Sequence, residues 1–314
     1  MPQLLTSLTD FPSDLRGGAI SVGNFDGVHR GHAQLIGQLV ATARKHSGLA
    51  LVMTFDPPPT ALLFPERMLT APLTSIARRA ELLFGLGVDA LIAYPTDACL
   101  LSMSAQDFFQ QTILGILQSS AMVEGPNFRF GRGRDGDVES LARMCAAAGV
   151  DFQVARPSAD EAGLISSTRI RDHLVAGDIR AANTLLTQPY TLTGVVAKGA
   201  QRGRQVGFPT ANLTHIPSLI PGPGVYVGQV PWLDQAAGAK IPYQAAIHIG
   251  PNPTFDESQT KVEVHLIGYA GEPLYGQTMQ VTMLDKVREV RRFDSIDELR
   301  AQIASDVAAC KAMR

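Results

Sequence analysis

Short apolar runs alternate with amphipathic stretches from residue 19 to residue 154, and past Tyr190 that rhythm stops. Residues 19–22 read as a buried strand, and residues 31–44 follow with Leu35, Leu39 and Val40 at helical spacing. Residues 49–55 form a second strand-like run, stopped by Pro57-Pro58-Pro59. Helical patterns at 78–86, 108–117 and 138–148 then alternate with strand patterns at 90–93, 121–123 and 152–154. Repeated strand–helix–strand units close as a parallel sheet with helices on both faces, and ligands of such sheets bind beyond the carboxyl ends of the strands. The later runs at 191–197, 225–230, 245–249, 262–267 and 279–284 are short, β-rich and separated by Gly, Pro and Asn. They predict a small antiparallel barrel, followed by an amphipathic helix over 296–309 that Ser295 caps. The 314 residues are too many for one typical core, and the change of texture divides them near Leu186 into domains 1–186 and 187–314.

Composition removes several function classes. Lys and Arg number 27 against 29 Asp and Glu, a net charge of −2, which excludes a globally basic nucleic-acid binder. With 45% hydrophobic and 18% charged residues the chain is not disordered. No apolar run approaches the ~18 residues of a spanning helix, and residues 1–10 lack the pattern of a secretory signal. Cys99, Cys145 and Cys310 are widely spaced and odd in number, which gives neither a disulfide framework nor a metal spacing. A cytoplasmic protein with no membrane or nucleic-acid partner is the expectation.

Two segments of the first domain carry chemistry. Gly23-Asn24-Phe25-Asp26-Gly27-Val28-His29-Arg30-Gly31-His32 joins the first strand to the first helix. Free N–H groups and the positive dipole end at a helix start suit phosphate, and the glycines let it approach closely. His29 and His32, three apart, share one side of the first turn and can donate hydrogen bonds to phosphate oxygens. The plainer reading has one histidine capping the helix and the other on the surface. Further on, Ser166-Ser167-Thr168-Arg169-Ile170-Arg171 opens a helix. One hydroxyl suffices as a cap, and the surplus hydroxyls and guanidiniums suit a leaving pyrophosphate, Arg169 foremost. Residues 131–136 fit G-x-G-x-x-G, but Phe128 and Phe130 separate them from the preceding strand, so a nicotinamide oxidoreductase is set aside.

The densest cluster of the second domain is Gly203-Arg204-Gln205-Val206-Gly207-Phe208-Pro209-Thr210-Ala211-Asn212-Leu213. If it is extended, Thr210 and Asn212 share a face, and their hard oxygens suit Mg2+; the alternative is a polar glycine-rich turn. In Val262-Glu263-Val264-His265-Leu266 the apolar residues make a core face and leave Glu263 opposite, as a solvated carboxylate or as a base for a primary alcohol. The chain has no G-x-x-x-x-G-K-[ST], so any kinase here works without a P-loop.

The first-domain motifs, with Thr54-Phe55-Asp56-Pro57 and Asn127-Phe128-Arg129-Phe130-Gly131, occur in an order that resembles the adenylyltransferase half of the bacterial bifunctional riboflavin kinase/FAD synthetase family. The second-domain cluster, with Gly250-Pro251-Asn252-Pro253-Thr254-Phe255, Glu263, Arg288 and Phe293, resembles its riboflavin kinase module. The resemblance implies a Rossmann-like nucleotidyltransferase domain, then a riboflavin kinase-like barrel and a C-terminal helix. It implies that riboflavin is phosphorylated to FMN, and that FMN attacks the α-phosphate of Mg-ATP to give FAD and pyrophosphate. By resemblance, residues 23–27 with His29 and His32 hold the ATP phosphates, and Ser166, Thr168 and Arg169 contact the β,γ portion. Asn127 and Phe128 lie near the flavin of the first site. In the kinase, Gly203, Arg204 and Gly207 line the substrates, Thr210 and Asn212 hold Mg2+, Glu263 deprotonates the ribityl 5′-hydroxyl, and Arg288 sits at the flavin entrance. Pro58 replaces a common histidine, and His248 a common asparagine. Two alternatives follow: a chain in which the kinase alone is active, and a flavin-binding sensor on a retired enzyme scaffold.

Overall fold

The computed structural model describes residues 1–64, 71–199, 203, 206–231, 242–252, 254 and 257–313; Arg204, Gln205, Pro253 and Phe255 lie outside them. The chain splits into two units, residues 1–70 with 74–166 and residues 71–73 with 167–314.

In the first unit, strands β1 (Gln3–Leu5), β2 (Ala19–Val22), β3 (Ala50–Asp56), β4 (Ala90–Pro95) and β5 (Ala121–Glu124) precede two short ones, β6 (Arg129–Phe130) and β7 (Gly136–Asp137). Strand β8 (Asp151–Val154) completes a six-stranded sheet in the order β1-β4-β3-β2-β5-β8. All its pairings are parallel. Every residue of β2 is buried, as only a strand covered on both faces can be. Ile20, Val22, Leu51 and Met53 enter one core with Phe109 and Ile113, while Ala19, Ala50 and Val52 enter another with Ile36 and Leu39. The helix expected at 108–117 is a π-helix, Phe108–Ile116; its wide turn keeps Phe108, Phe109, Thr112 and Ile113 buried. β1 has no counterpart in the sequence pattern, because three residues beside β4 are too few to show a period. The 131–136 glycines lie at the β6–β7 hairpin, outside the parallel sheet, which is the geometry of a turn and not of a dinucleotide fingerprint.

The first unit ends with a small hairpin, β9 (Ala159–Asp160) and β10 (Gly163–Leu164). Helices Ser167–Val175 and Ile179–Leu185 lead into β11 (Thr191–Ala197), β12 (Ala211–Thr214), β13 (Gly224–Val230), β14 (Tyr243–Asn252), β15 (Glu257–Leu266) and β16 (Thr278–Arg288). These six strands close as the antiparallel barrel β11-β12-β15-β14-β13-β16. β11 alternates buried and half-buried residues along its whole length, the signature of one face on a core. Asn183 fastens the helix Ile179–Leu185 to the barrel: its Nδ2 donates to the Met283 carbonyl at 3.0 Å, and its Oδ1 accepts from the Tyr190 N–H at 2.8 Å. The last helix, Ile296–Ala312, is capped by Ser295, whose hydroxyl accepts from the Glu298 N–H.

Ile247 is fully buried, with Tyr226 and Val264 as its cross-strand partners. Ile247→Ala is expected to lower unfolding stability by about 2–5 kcal/mol, read from denaturant titration followed by circular dichroism.

Candidate active sites

β2 lies between β3 and β5, and the chain leaves it through the helix Arg30–Lys45 toward β3. The Gly23–His32 segment therefore occupies the carboxyl edge of the sheet at its switch point. Its backbone is forced: Phe25, Gly27 and Val28 have φ of 47°, 84° and 42°. A buried network imposes that path. Asp26 Oδ1 accepts from the Thr74 N–H at 3.1 Å and from Arg79 Nη2 at 3.2 Å. Thr74 Oγ1 accepts from the Gly27 N–H at 3.1 Å, and Arg79 Nη1 donates to Thr54 Oγ1 at 3.0 Å. Thr54 in turn donates to the Asn24 carbonyl at 3.0 Å. Arg79 is only 5% exposed. The sequence reading missed Thr54, Thr74 and Arg79 as loop supports, because nothing local marks residues so distant in the chain.

His29 caps the helix: its Nδ1 accepts from the His32 N–H at 3.2 Å, which places the ring proton on Nε2. The two imidazoles stack with centroids 3.6 Å apart. Burial pushes His29 down to about 4, against the pull of Asp26, and pushes His32 well below the ordinary range, helped by His29 and Arg79. Both rings are thus neutral donors near pH 7. His32 Nδ1 is buried without a hydrogen-bond partner among the described residues, an atom that a ligand can satisfy. Beneath the loop, burial holds the Glu124 carboxyl well above its ordinary range. Its Oε1 accepts from the Val22 N–H at 2.7 Å, where β2 and β5 have ceased to pair.

The other first-site residues are scattered more widely. Asn127 is exposed, and Phe128 stacks on Phe130 at 5.2 Å just beyond β5. Ser166 is half-buried, and a side chain at Gly31 would come within 3.5 Å of the neighbouring Ile165 carbonyl oxygen. Thr168 and Arg169 stand on the first turn of helix Ser167–Val175 in the second unit. Pro58 begins the short helix Pro59–Leu63 with no side-chain cap.

In the barrel, register assembles the second site. Asn212 pairs with Glu263, Glu263 with His248, His248 with Val225, and Val225 with Arg288. These five residues form one row across five strands and line one pocket. Thr210 lines it beside Asn212, and the backbone closes over both. A Cβ at Gly203 would lie 2.4 Å from the Phe208 carbonyl oxygen and 3.2 Å from Thr210 Oγ1, and one at Gly199 would lie 2.4 Å from Asn212 Nδ2. This cradle of neutral hard oxygens and close backbone fits a phosphate-bound divalent cation. Among the described residues no three His, Cys, Asp or Glu side chains are grouped to hold a metal, so such an ion would draw its remaining ligands from phosphate and water. Gly207, with φ of 91°, turns the chain before Phe208.

Glu263 receives a long contact from Asn252 Nδ2 at 3.5 Å. Arg288 is gripped by Asp306 through Nε at 2.9 Å and Nη2 at 2.7 Å. Its guanidinium lies 5.7 Å from the Phe293 ring. Asp306, Leu299 and Ile303 bring the last helix to the same pocket. A second pocket is lined by Pro209, Thr210, Ala211, Tyr269, Leu274 and Tyr275. Thr210 borders both. Asp306 and the tyrosines carried no functional signal in the sequence, since only barrel closure brings them to the two pockets.

Two units of unrelated fold, each with its own candidate site, define a chain with two candidate active centres. A model of the FAD synthetase family matches residues 11–169, and one of the riboflavin kinase family matches residues 186–314. The bifunctional riboflavin kinase/FMN adenylyltransferase of Escherichia coli K12 is 34% identical over 290 residues, covering 92% of this chain and 90% of the relative. That of Pseudomonas fluorescens is 33% identical over 99% of this chain and 97% of the relative. A crystal structure described as a macrolide-efflux protein from Streptococcus pneumoniae is similar at TM-score 0.85 and 30% identity, over 99% of each chain. Among the described residues no helix is long and apolar enough to cross a membrane. The chain belongs to the bifunctional riboflavin kinase/FMN adenylyltransferase family: it phosphorylates riboflavin to FMN and adenylylates FMN to FAD, with ATP as the second substrate of each step.

Because His29 is buried neutral, the unfolded chain takes up its proton first. Its contribution to stability is complete above about pH 6.5 and is lost as pH falls toward 4. In thermal melts across that range His29→Asn, which keeps a capping oxygen, is expected to show a shallower loss than the native chain.

Proposed function

We propose that Glu263 is the base of the kinase step. Its position on a rigid strand, in register with Asn212 and lining the pocket with Thr210, is the observation that carries this reading. The carboxylate takes the proton of the ribityl 5′-hydroxyl as that oxygen attacks the γ-phosphorus of ATP, and ADP leaves. Thr210 and Asn212 hold Mg2+, which neutralises phosphate charge when bound. The flavin lies between Arg288, Phe293 and the barrel wall. The second pocket takes the adenine, so that the phosphates pass Thr210 toward Glu263; its tyrosines supply the apolar walls a base requires.

For the first site, His29 and His32 donate neutral hydrogen bonds to the ATP phosphates, with Ser166 following Ile165 beside the helix start. The FMN phosphate is already an anion and attacks the α-phosphorus without a protein base, so this step rests on positioning and charge stabilisation. Asp26 serves the site from behind, by fixing the loop through Thr74 and Arg79. Phe128 offers its ring to the flavin. Functionally the chain divides into residues 1–186 and 187–314, a division that the limits of the two family matches support. The three free cysteines support a cytoplasmic, reducing setting.

The test separates the two activities in the intact chain, with Mg-ATP and either riboflavin or FMN supplied. Glu263→Gln is expected to cut FMN formation by about 100-fold or more while FAD formation from FMN stays near the native rate. His32→Ala is expected to do the reverse, lowering FAD formation by about 10- to 100-fold. Full FMN formation by Glu263→Gln would remove Glu263 from the role of base.

A further inference from the structure

One polar side chain in the row across the barrel has no task in either step above. His248 pairs in register with Glu263 on one side and Val225 on the other, and it lines the same pocket. Paired residues of antiparallel strands have Cα atoms about 4.5–5.5 Å apart, with side chains on the same face. The imidazole and the carboxylate therefore stand side by side, at a spacing suited to hydroxyls on neighbouring carbons of one substrate.

The ring's chemistry is fixed by its surroundings. Nε2 lies 3.2 Å from the Pro251 carbonyl oxygen, which can only accept, so Nε2 carries the proton. Burial holds His248 below the ordinary imidazole range, against the pull of the Glu263 carboxylate. With the proton on Nε2, the neutral ring keeps Nδ1 as its acceptor. The other groups of the row differ: Arg288 only donates and is held by Asp306, and Glu263 is engaged with the reacting proton. A carboxylate in place of His248 would compete for that proton, and a cation would pair with Glu263.

We propose that His248 accepts a hydrogen bond from the ribityl hydroxyl adjacent to the one that is phosphorylated. It thereby fixes which hydroxyl faces Glu263 and acts as a specificity-determining residue of the kinase. The assignment rests on the reading of Glu263 as the base.

The experiment compares kcat/KM for riboflavin with kcat/KM for an analogue whose 4′-hydroxyl is replaced by hydrogen, in the full-length chain with Mg-ATP. His248→Leu is expected to lose about five- to tenfold on riboflavin and less than about twofold on the analogue, bringing the ratio near one. His248→Asn, which keeps an acceptor, is expected to recover most of the ratio. Because both substrates meet the same enzyme, a partly misfolded variant lowers both rates and leaves the ratio intact. Equal losses on the two substrates, or an unchanged ratio, would overturn the proposal. Glu263→Gln measured alongside separates the two readings. If it keeps its rate, the base assignment fails; if it loses its rate while the His248→Leu ratio stays native, only the His248 assignment falls.

Discussion

Backbone pairing carries Asn212, Glu263, His248, Val225 and Arg288 across five strands in a single row, and that row lines one pocket of the barrel. Because side chains alternate faces with a period of two, a slip of one residue in β15 would send Glu263 into the core and Val262 or Val264 into the pocket. The register is held by those same valines: Val262 and Val264 are 3% and 0% exposed. Hydrophobic burial on one side of the strand thus fixes the position of Glu263 on the other. Closure of the barrel removes the edges at which such a row would otherwise fray.

The adenylyltransferase half solves a similar problem with different means. Its loop between β2 and the first long helix follows left-handed backbone at Phe25 and Val28, a conformation that side-chain-bearing residues resist. Arg79, Asp26, Thr74 and Thr54 overcome that resistance through a buried hydrogen-bonded ion pair whose members satisfy one another. A buried pair of this kind contributes little net stability, but removal of either member would leave a charge without compensation. Its value to the molecule is a fixed loop geometry. The stacked, neutral histidines fit the same logic: they offer directed donors and add no positive charge to a buried site.

Much of this was legible in the chain. The β2-to-helix loop, the pair His29 and His32, and the alternation around Glu263 are local patterns, and the fold places each on the element its spacing predicts. Thr210 and Asn212 share the pocket face expected if their segment were extended. The capping role of His29 was the plainer of two readings, yet the structure unites cap and candidate phosphate donor in one ring, with Nδ1 turned to the backbone and Nε2–H left for a ligand. Arg79, Glu124, Asp306 and the tyrosines of the second pocket gave no such signal. Arg79 bonds Asp26 at a separation of 53 residues, Glu124 bonds Val22 at 102 and Asp306 bonds Arg288 at 18, and no local period encodes such distances.

Periodicity, turn residues and short motifs by themselves determined the two-part architecture, the placement of the Gly23–His32 loop at a strand-to-helix junction and the face of its strand that Glu263 occupies. These follow from interactions within a few residues, where spacing along the chain is spacing in space. Tertiary structure alone decided which residues share a pocket, that Arg288 is held by Asp306, that His248 adjoins Glu263 and that both loop histidines are neutral. Register, burial and charge compensation are properties of strands and helices brought together, and they exist only once the chain has closed on itself.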